Sequence, residues 1–303
     1  MPSSAYPRRG KSRFDDDETF LKRGRHRPAL PAEDDVAGGP PAGDRWSTWD
    51  QSTPSERGPL PHPRWLVTEL AAVDTELGIL KTGKEADVFL LRRGIPGGRS
   101  CLLAAKRYRA SEHRMFQRDS EYLEGRRVRE SRVNRAMANR STAGRAMIAT
   151  QWANAEFAAI SRLHVAGLPV PYPVQIVGTE LLLEFIGEPD RSPAPRLAET
   201  RPGPAELARL WDQLVQALCA LARLGYAHGD LSAYNLLVHR DRLYIIDMPQ
   251  LVDVIANPRG REFLDRDAEN VSRWFTARGL AGRLGTPGPA DLAGLLRDEA
   301  RLM

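Results

Sequence analysis

A long amphipathic segment, a polar loop and two short apolar runs follow one another between Pro204 and Asp247. This succession constrains the fold more than any other stretch of the chain. From Pro204 to Leu224, residues Leu207, Leu210, Trp211, Leu214, Leu218 and Leu221 fall on one helical stripe, and Gly225 ends the pattern. The loop His228-Gly-Asp-Leu-Ser-Ala-Tyr-Asn235 comes next. Leu236 to Val238 and Leu243 to Ile246 then read as a hairpin joined by His239-Arg-Asp-Arg242, and Asp247 follows directly. An Asp and an Asn five residues apart on one tight loop offer a carboxylate and an amide oxygen to a common point. A second carboxylate at the end of an apolar strand is costly unless a cation meets it. Phosphoryl transfer needs these parts: a carboxylate at the attacking hydroxyl and oxygen ligands for a cation at the phosphates. Asp230 is thus the candidate catalytic residue, and Asn235 and Asp247 are candidate metal ligands. Taken singly, each is also a common turn former.

Two further elements fit the same chemistry. Leu102-Leu-Ala-Ala-Lys106 reads as a strand that carries a lysine, which needs an anion nearby. A helix from about Ala149 to Val165 offers one, because Trp152, Glu156, Ile160 and Leu163 share a face and turn Glu156 inward. A Lys106–Glu156 pair would aim the lysine at phosphates, whereas a snorkelling lysine and a border glutamate are the plain alternative. The loop Thr82-Gly83-Lys84, ahead of a strand from Val88 to Leu91, can cover phosphates with backbone N–H groups, although with its single glycine it reads by itself as a plain turn.

The remainder sets the frame. Residues 1–60, rich in Pro, Gly, Arg and Asp, read as a disordered basic tail, with order expected from near Trp65. Residues 61–186 form the expected β-rich part, interrupted by an arginine-rich, flexible excursion over 107–145; residues 187–303 form the helical part. Closing helices are expected over Arg261 to Thr276 and Pro289 to Leu302. The class is α+β with two lobes. Of the 303 residues 42% are hydrophobic, and no apolar run of about 18 residues indicates a membrane span. The N-terminal stretch has no apolar core of a secretory signal. Two cysteines, Cys101 and Cys219, sit among apolar residues and suit reduced thiols in a cytoplasm. A net charge of +5 permits, without requiring, contact with nucleic acid.

Together these blocks resemble the RIO family of atypical serine/threonine protein kinases, and more closely its first, winged-helix-free branch. The resemblance rests on Thr82 to Val88, Ala105-Lys106, Trp152-Ala-Asn-Ala-Glu156 and Gly167-Leu-Pro-Val-Pro171. It continues through Leu183-Glu-Phe-Ile-Gly187, Pro193-Ala-Pro-Arg-Leu197, His228 to Asn235, Ile245-Ile-Asp247 and Phe263-Leu-Asp-Arg-Asp267. It implies a protein-kinase-like fold without the usual activation segment and peptide-docking helices. It implies ATP between the lobes, with adenine on the Glu184 carbonyl and the Ile186 amide, and Lys106 on the phosphates. Asp230 would be catalytic, and Asn235 and Asp247 would hold Mg2+, or Mn2+ in its place. Asp247 would also be a candidate phosphoryl acceptor. The implied activity is serine/threonine protein phosphorylation, autophosphorylation included, or ATP hydrolysis, with a link to ribosome maturation. The chain departs from the family at Ala233, where Glu is frequent. Gly229 stands where ordinary kinases carry the arginine that binds an activation-loop phosphate.

Two other readings share these residues. A small-molecule phosphotransferase of the aminoglycoside or choline kinase type has a similar loop but carries His where this chain has Ser232. An RNA- or ribosome-binding protein switched by ATP would use the arginine-rich stretch and the basic tail.

Overall fold

The computed structural model describes residues 40, 42–109, 142–248, 251–280 and 288–301. A six-stranded antiparallel sheet holds the first half. Its strands are β1 (Arg45–Trp46), β2 (Val73–Thr82), β3 (Ala86–Gly94), β4 (Ser100–Tyr108), β5 (Pro173–Val177) and β6 (Glu180–Glu184), in the spatial order β1-β2-β3-β4-β6-β5. Helix α1 (Thr142–Val165) packs against β4, β5 and β6. The second half is mainly helical: α2 (Pro204–Arg223), α3 (Gly260–Thr276) and α4 (Leu292–Glu299). Two small ribbons accompany them. Strand β7 (Tyr226–Ala227) pairs with β10 (Val252–Asp253), and β8 (Leu236–His239) pairs with β9 (Arg242–Ile245).

Local chemistry accounts for these elements. Pro204 opens α2, and the expected stripe from Leu207 to Leu221 is buried throughout. Arg240 and Asp241 both take positive φ, 50° and 61°, which is the conformation of a two-residue hairpin turn matched to strand twist. The sheet has two apolar faces. Along β4, Cys101, Leu103 and Ala105 join a cluster with Trp49, Leu66, Val67 and Tyr172, whereas Tyr108 joins the larger core with α1 and α2.

Three expectations need correction. Residues 45–60, expected within a disordered tail, are part of the sheet lobe. Strand β1 pairs with β2, Trp49 is buried, and Gly58 donates to the Val174 carbonyl at 2.9 Å. The approach at Gly58 is so close that a Cβ there would lie 1.8 Å from the Pro173 carbonyl oxygen. Prolines 54, 59, 61 and 63 gave the segment a disordered composition, but Trp49 and Trp65 anchor it to the sheet. The excursion expected over 107–145 is shorter: β4 runs through Tyr108 and α1 begins at Thr142. The expected mobility of the remainder falls outside the described residues. The helix expected over 289–302 spans only Leu292–Glu299. Among the described residues, no helix is long and apolar enough to cross a membrane.

A buried polar cluster ties this N-terminal segment, a strap over residues 45–66, to the sheet. Arg93 is fully buried and grips Asp74 with two bonds, 2.7 and 2.9 Å, and Gln175 with a third of 2.7 Å. Gln175 in turn reaches Thr48 at 2.8 Å. Removing Arg93 leaves the buried Asp74 carboxylate with only a longer contact to Arg45, at 3.5 Å. Arg93→Ala is therefore expected to destabilise the protein by about 3–5 kcal/mol. A shift of the urea midpoint to lower concentration, with an unchanged slope, checks this; an unchanged midpoint excludes it.

Candidate active site

A cleft of about 530 Å³ opens between the sheet and the helical half. Nine of the ten predicted site residues line it: Gly83, Lys84, Lys106, Glu156, Glu184, Ile186, Asp230, Asn235 and Asp247. Thr82 is the exception; it ends β2 as an exposed residue outside the lining.

Lys106 organises the centre. Its ammonium donates to Glu156 Oε1 at 2.8 Å and to Asp247 Oδ1 at 2.7 Å. Burial works against the charge, but the two carboxylates outweigh it and hold the lysine pKa above the ordinary range. Glu156 is fully buried and serves three donors. Its Oε1 also accepts the Met248 amide at 3.1 Å, and its Oε2 accepts the Tyr108 hydroxyl. Burial, then the Glu156 charge, pushes the Tyr108 hydroxyl well up, so it stays a donor. Asp247 is a third exposed and takes φ +67°, a left-handed conformation that Asp tolerates better than most residues. Burial raises its carboxyl, yet Lys106 prevails and holds it near about 2.

The loop before β8 is clamped from behind. Asp267 on α3 accepts the amides of Gly229 (2.8 Å) and Leu231 (2.9 Å), while Asn270 donates to the Leu231 carbonyl at 3.1 Å. Burial pushes the Asp267 carboxyl up, although both amides favour its charge. His228 joins the loop to the segment that leaves β9. Its Nε2 lies 3.1 Å from the Ile246 carbonyl and its Nδ1 accepts the Asp230 amide at 3.4 Å, so a proton on Nε2 satisfies both. Asn235 is fixed twice: its carbonyl accepts the Ile246 amide at 3.0 Å, and its side-chain amide donates to the Asp230 carbonyl at 2.8 Å. That second bond spends the donor end of the side chain and leaves the oxygen as the available ligand.

At the far end of the cleft, the chain passes from sheet to helices through Glu184, Phe185 and Ile186. Glu184 pairs with Tyr172 twice, amide to carbonyl at 2.8 Å and carboxylate to amide at 3.0 Å. Burial raises the Glu184 carboxyl. The Ile186 carbonyl accepts the Ala194 amide at 3.0 Å. At the near end, Gly83 donates to Ala86 at 3.0 Å in a turn so tight that a Cβ would meet that carbonyl at 2.7 Å.

Comparison with known sequences places this architecture. A model of the RIO domain matches residues 98–285. The chain belongs to the RIO family. The matched span contains Lys106, Glu156, Asp230, Asn235, Asp247 and Asp267, and begins downstream of the Gly83 turn. The RIO-type serine/threonine-protein kinase Rio1 of Haloferax volcanii is 35% identical over 209 residues, covering 68% of this chain and 65% of that protein. The serine/threonine-protein kinase RIO1 of Caenorhabditis elegans is 33% identical, over 67% of this chain and 37% of that protein. The chain therefore matches less than two thirds of either relative's length. Among solved structures, the Rio2 kinase from Chaetomium thermophilum aligns with a TM-score of 0.51 at 23% identity, covering 73% of this chain and 63% of that one. It shares the two-lobed kinase-like fold.

Three further residues support the RIO cleft, Tyr108 and Asp267 from behind it and Lys81 in its wall. Tyr108 lies two residues beyond Lys106 on the same strand face, a period-2 signal hidden by ending the strand at Lys106. Asp267 lies on the buried stripe of α3 with Leu264, Ala268, Val271 and Phe275. This is the same signal that singled out Glu156. Lys81 approaches Asp247 Oδ2 at 3.7 Å from a strand without regular alternation.

Asp267→Ala would free two loop amides, with burial left unmet. It is expected to lower turnover by at least tenfold while nucleotide affinity changes less than about threefold, because Asp267 holds Asp230's loop and touches nothing in the cleft. Equal losses in turnover and affinity would contradict this. A second expectation concerns pH. The depressed Asp247 pKa contributes stability that is fully present above its unfolded value of 3.8 and lost as pH falls through about 2. The stability difference between wild type and Lys106→Met should thus be flat from about pH 5 to 8 and shrink below about pH 4. Denaturant titration across that range measures it.

Proposed function

We propose that this chain binds ATP in the cleft and transfers its γ-phosphoryl group, acting as a RIO-type serine/threonine protein kinase or, with water as acceptor, as an ATPase. The observation that carries this reading is the position of Lys106, shared between Glu156 and Asp247 in the same cleft as Asp230 and Asn235. Lysine fixed by a helix glutamate is the arrangement that orients a cation onto phosphates. Adenine would sit against the Glu184 carbonyl and the Ile186 amide. The Gly83 turn and Lys84 would cover the phosphates with N–H groups and a positive charge. Asp230 would orient the attacking hydroxyl and take its proton.

The donor chemistry fits a hard divalent cation. Asp247 offers a carboxylate and Asn235 an amide oxygen, and among the described residues no group of three or more His, Cys, Asp or Glu side chains forms a ready-made metal cage. Two protein oxygens are what magnesium uses when the phosphates complete its shell. Asn235 and Asp247 would hold it; when bound, it neutralises charge on the β- and γ-phosphates. Asp247 would also accept the phosphoryl group transiently, a role supported by its position in the lining of the cleft.

The cytoplasm is the compartment we assign. Cys101 and Cys219 are free and buried, and burial pushes both thiols up, which suits a reducing environment. The protein substrate, and any RNA or ribosomal partner, would be found by the same assay.

That assay is incubation with γ-labelled ATP and magnesium, alone and with ribosomes, followed by mass spectrometry. Label on serine or threonine supports the kinase reading, and free phosphate supports the ATPase reading. Hydroxylamine-sensitive label on Asp247 supports the acyl phosphate. No magnesium-dependent release or transfer of the γ-phosphate overturns the proposal. Asp230→Asn should reduce transfer about 10²–10⁴-fold with ATP affinity within a few-fold, since it removes the base and keeps the shape.

A further inference from the structure

The cleft holds a lysine that the catalytic reading leaves without a task. Lys81 lies on β2, opposite Val88 of β3, which lies opposite Lys106 of β4. Residues in one cross-strand row project to the same face of a sheet. All three line the cleft, so the two lysines stand one strand apart on either side of Val88. Both reach one carboxylate: Lys106 meets Asp247 Oδ1 at 2.7 Å, and Lys81 lies 3.7 Å from Oδ2.

The placement of Lys81 depends on a local irregularity. In a regular strand, Leu80 and Lys81 would point to opposite faces. The β2–β3 register slips between Ile79 and Lys81, and in consequence both Leu80 and Lys81 line the cleft while Ile79 is exposed. A bulge of this kind re-aims a side chain at the expense of regular pairing. The Gly83 turn follows at once and leaves Lys81 at the mouth of the phosphate loop.

We propose that Lys81 is a second phosphate-binding cation, directed at the terminal phosphate of the nucleotide; this rests on the ATP-binding reading given above. Two differences from Lys106 support it. Lys106 is almost fully enclosed and held by Glu156 as well as Asp247, so its position is set by the protein. Lys81 is 40% exposed, its ion pair with Asp247 is long, and it approaches the carboxylate oxygen on the side away from Lys106. When the Asp247 carboxylate is engaged by a phosphate-bound cation, Lys81 loses that partner while its stem still points into the cleft. The nearest new anion is then the phosphoryl group beside Asp247. Lys106 orients the inner phosphates, and Lys81 selects for a nucleotide that carries the outermost one.

Calorimetric titration of wild type, Lys81→Met and Lys81→Arg with ATP and with ADP, in magnesium, tests this. Loss of one charge-assisted contact predicts about a tenfold weaker ATP affinity in Lys81→Met, with ADP affinity changed less than about threefold. Lys81→Arg should restore most of the ATP preference. The melting temperature should stay within about 2 °C, because the side chain is partly exposed and its ion pair is weak. An ATP-to-ADP preference in Lys81→Met equal to that of wild type overturns the assignment and leaves the ATP-binding reading intact. Absence of binding of either nucleotide to wild type removes both.

Discussion

One ammonium group joins the parts of this protein that must act together. Lys106 comes from the sheet, Glu156 from α1, and Asp247 from the segment that leaves β9, and the three meet within hydrogen-bonding distance. Desolvation alone would neutralise a lysine so deeply placed; two carboxylates keep it charged. The arrangement is conditional in both directions. Glu156, fully buried, is tolerable only because Lys106, Tyr108 and the Met248 amide all donate to it. The relative position of sheet, helix and hairpin is thus specified by charge pairing at the point where the phosphates of a nucleotide would lie.

The flanks of the cleft are held by quieter means. Its inner loop is fastened from α3 by Asp267 and Asn270, and its linker end from the strap through Tyr172. The Tyr172 hydroxyl donates to the Pro59 carbonyl at 2.8 Å and lies 2.9 Å from His62, and its backbone holds Glu184. The chain connecting the lobes is therefore braced by residues far upstream in sequence. The same strap closes the apolar face of the sheet opposite α1, where Trp49 and Leu66 cover Leu103 and Val174. Without it that face would be open to solvent.

Much of this was readable in the sequence where periodicity and burial agree. The helical spacing of Trp152, Glu156, Ile160 and Leu163 identified the partner of Lys106, and the stripe of α2 located the loop that follows it. Reading stopped where a local pattern is broken by tertiary geometry. Strand β2 has two register shifts, so neither it nor the aim of Lys81 shows as alternation. Strand β5 begins with Pro173 at the edge of the sheet, a position where a missing N–H costs little but where composition argues against a strand. Prolines gave the strap the look of disorder, although its tryptophans carried the opposite signal. Asp267 was legible by the argument used for Glu156, applied to α3.

The charges of the cleft also balance one another. Two lysines facing an open cavity would repel each other, and Asp247 facing it alone would lack a counter-charge. Set between them, the carboxylate pairs with both, so neither lysine is left unpaired. On the function proposed above, a nucleotide would exchange one set of anionic oxygens for another, and the carboxylate released from the lysines would be free to serve as a metal ligand. Such an exchange would avoid stripping water from bare charges, which is the costly part of filling a polar cleft. It also requires that at least one lysine move little, since a site whose cations both relax loses the preorganisation that stabilises developing charge. Glu156 supplies that rigidity to Lys106, and the freedom left to Lys81 follows from its having no such second carboxylate among the described ion pairs.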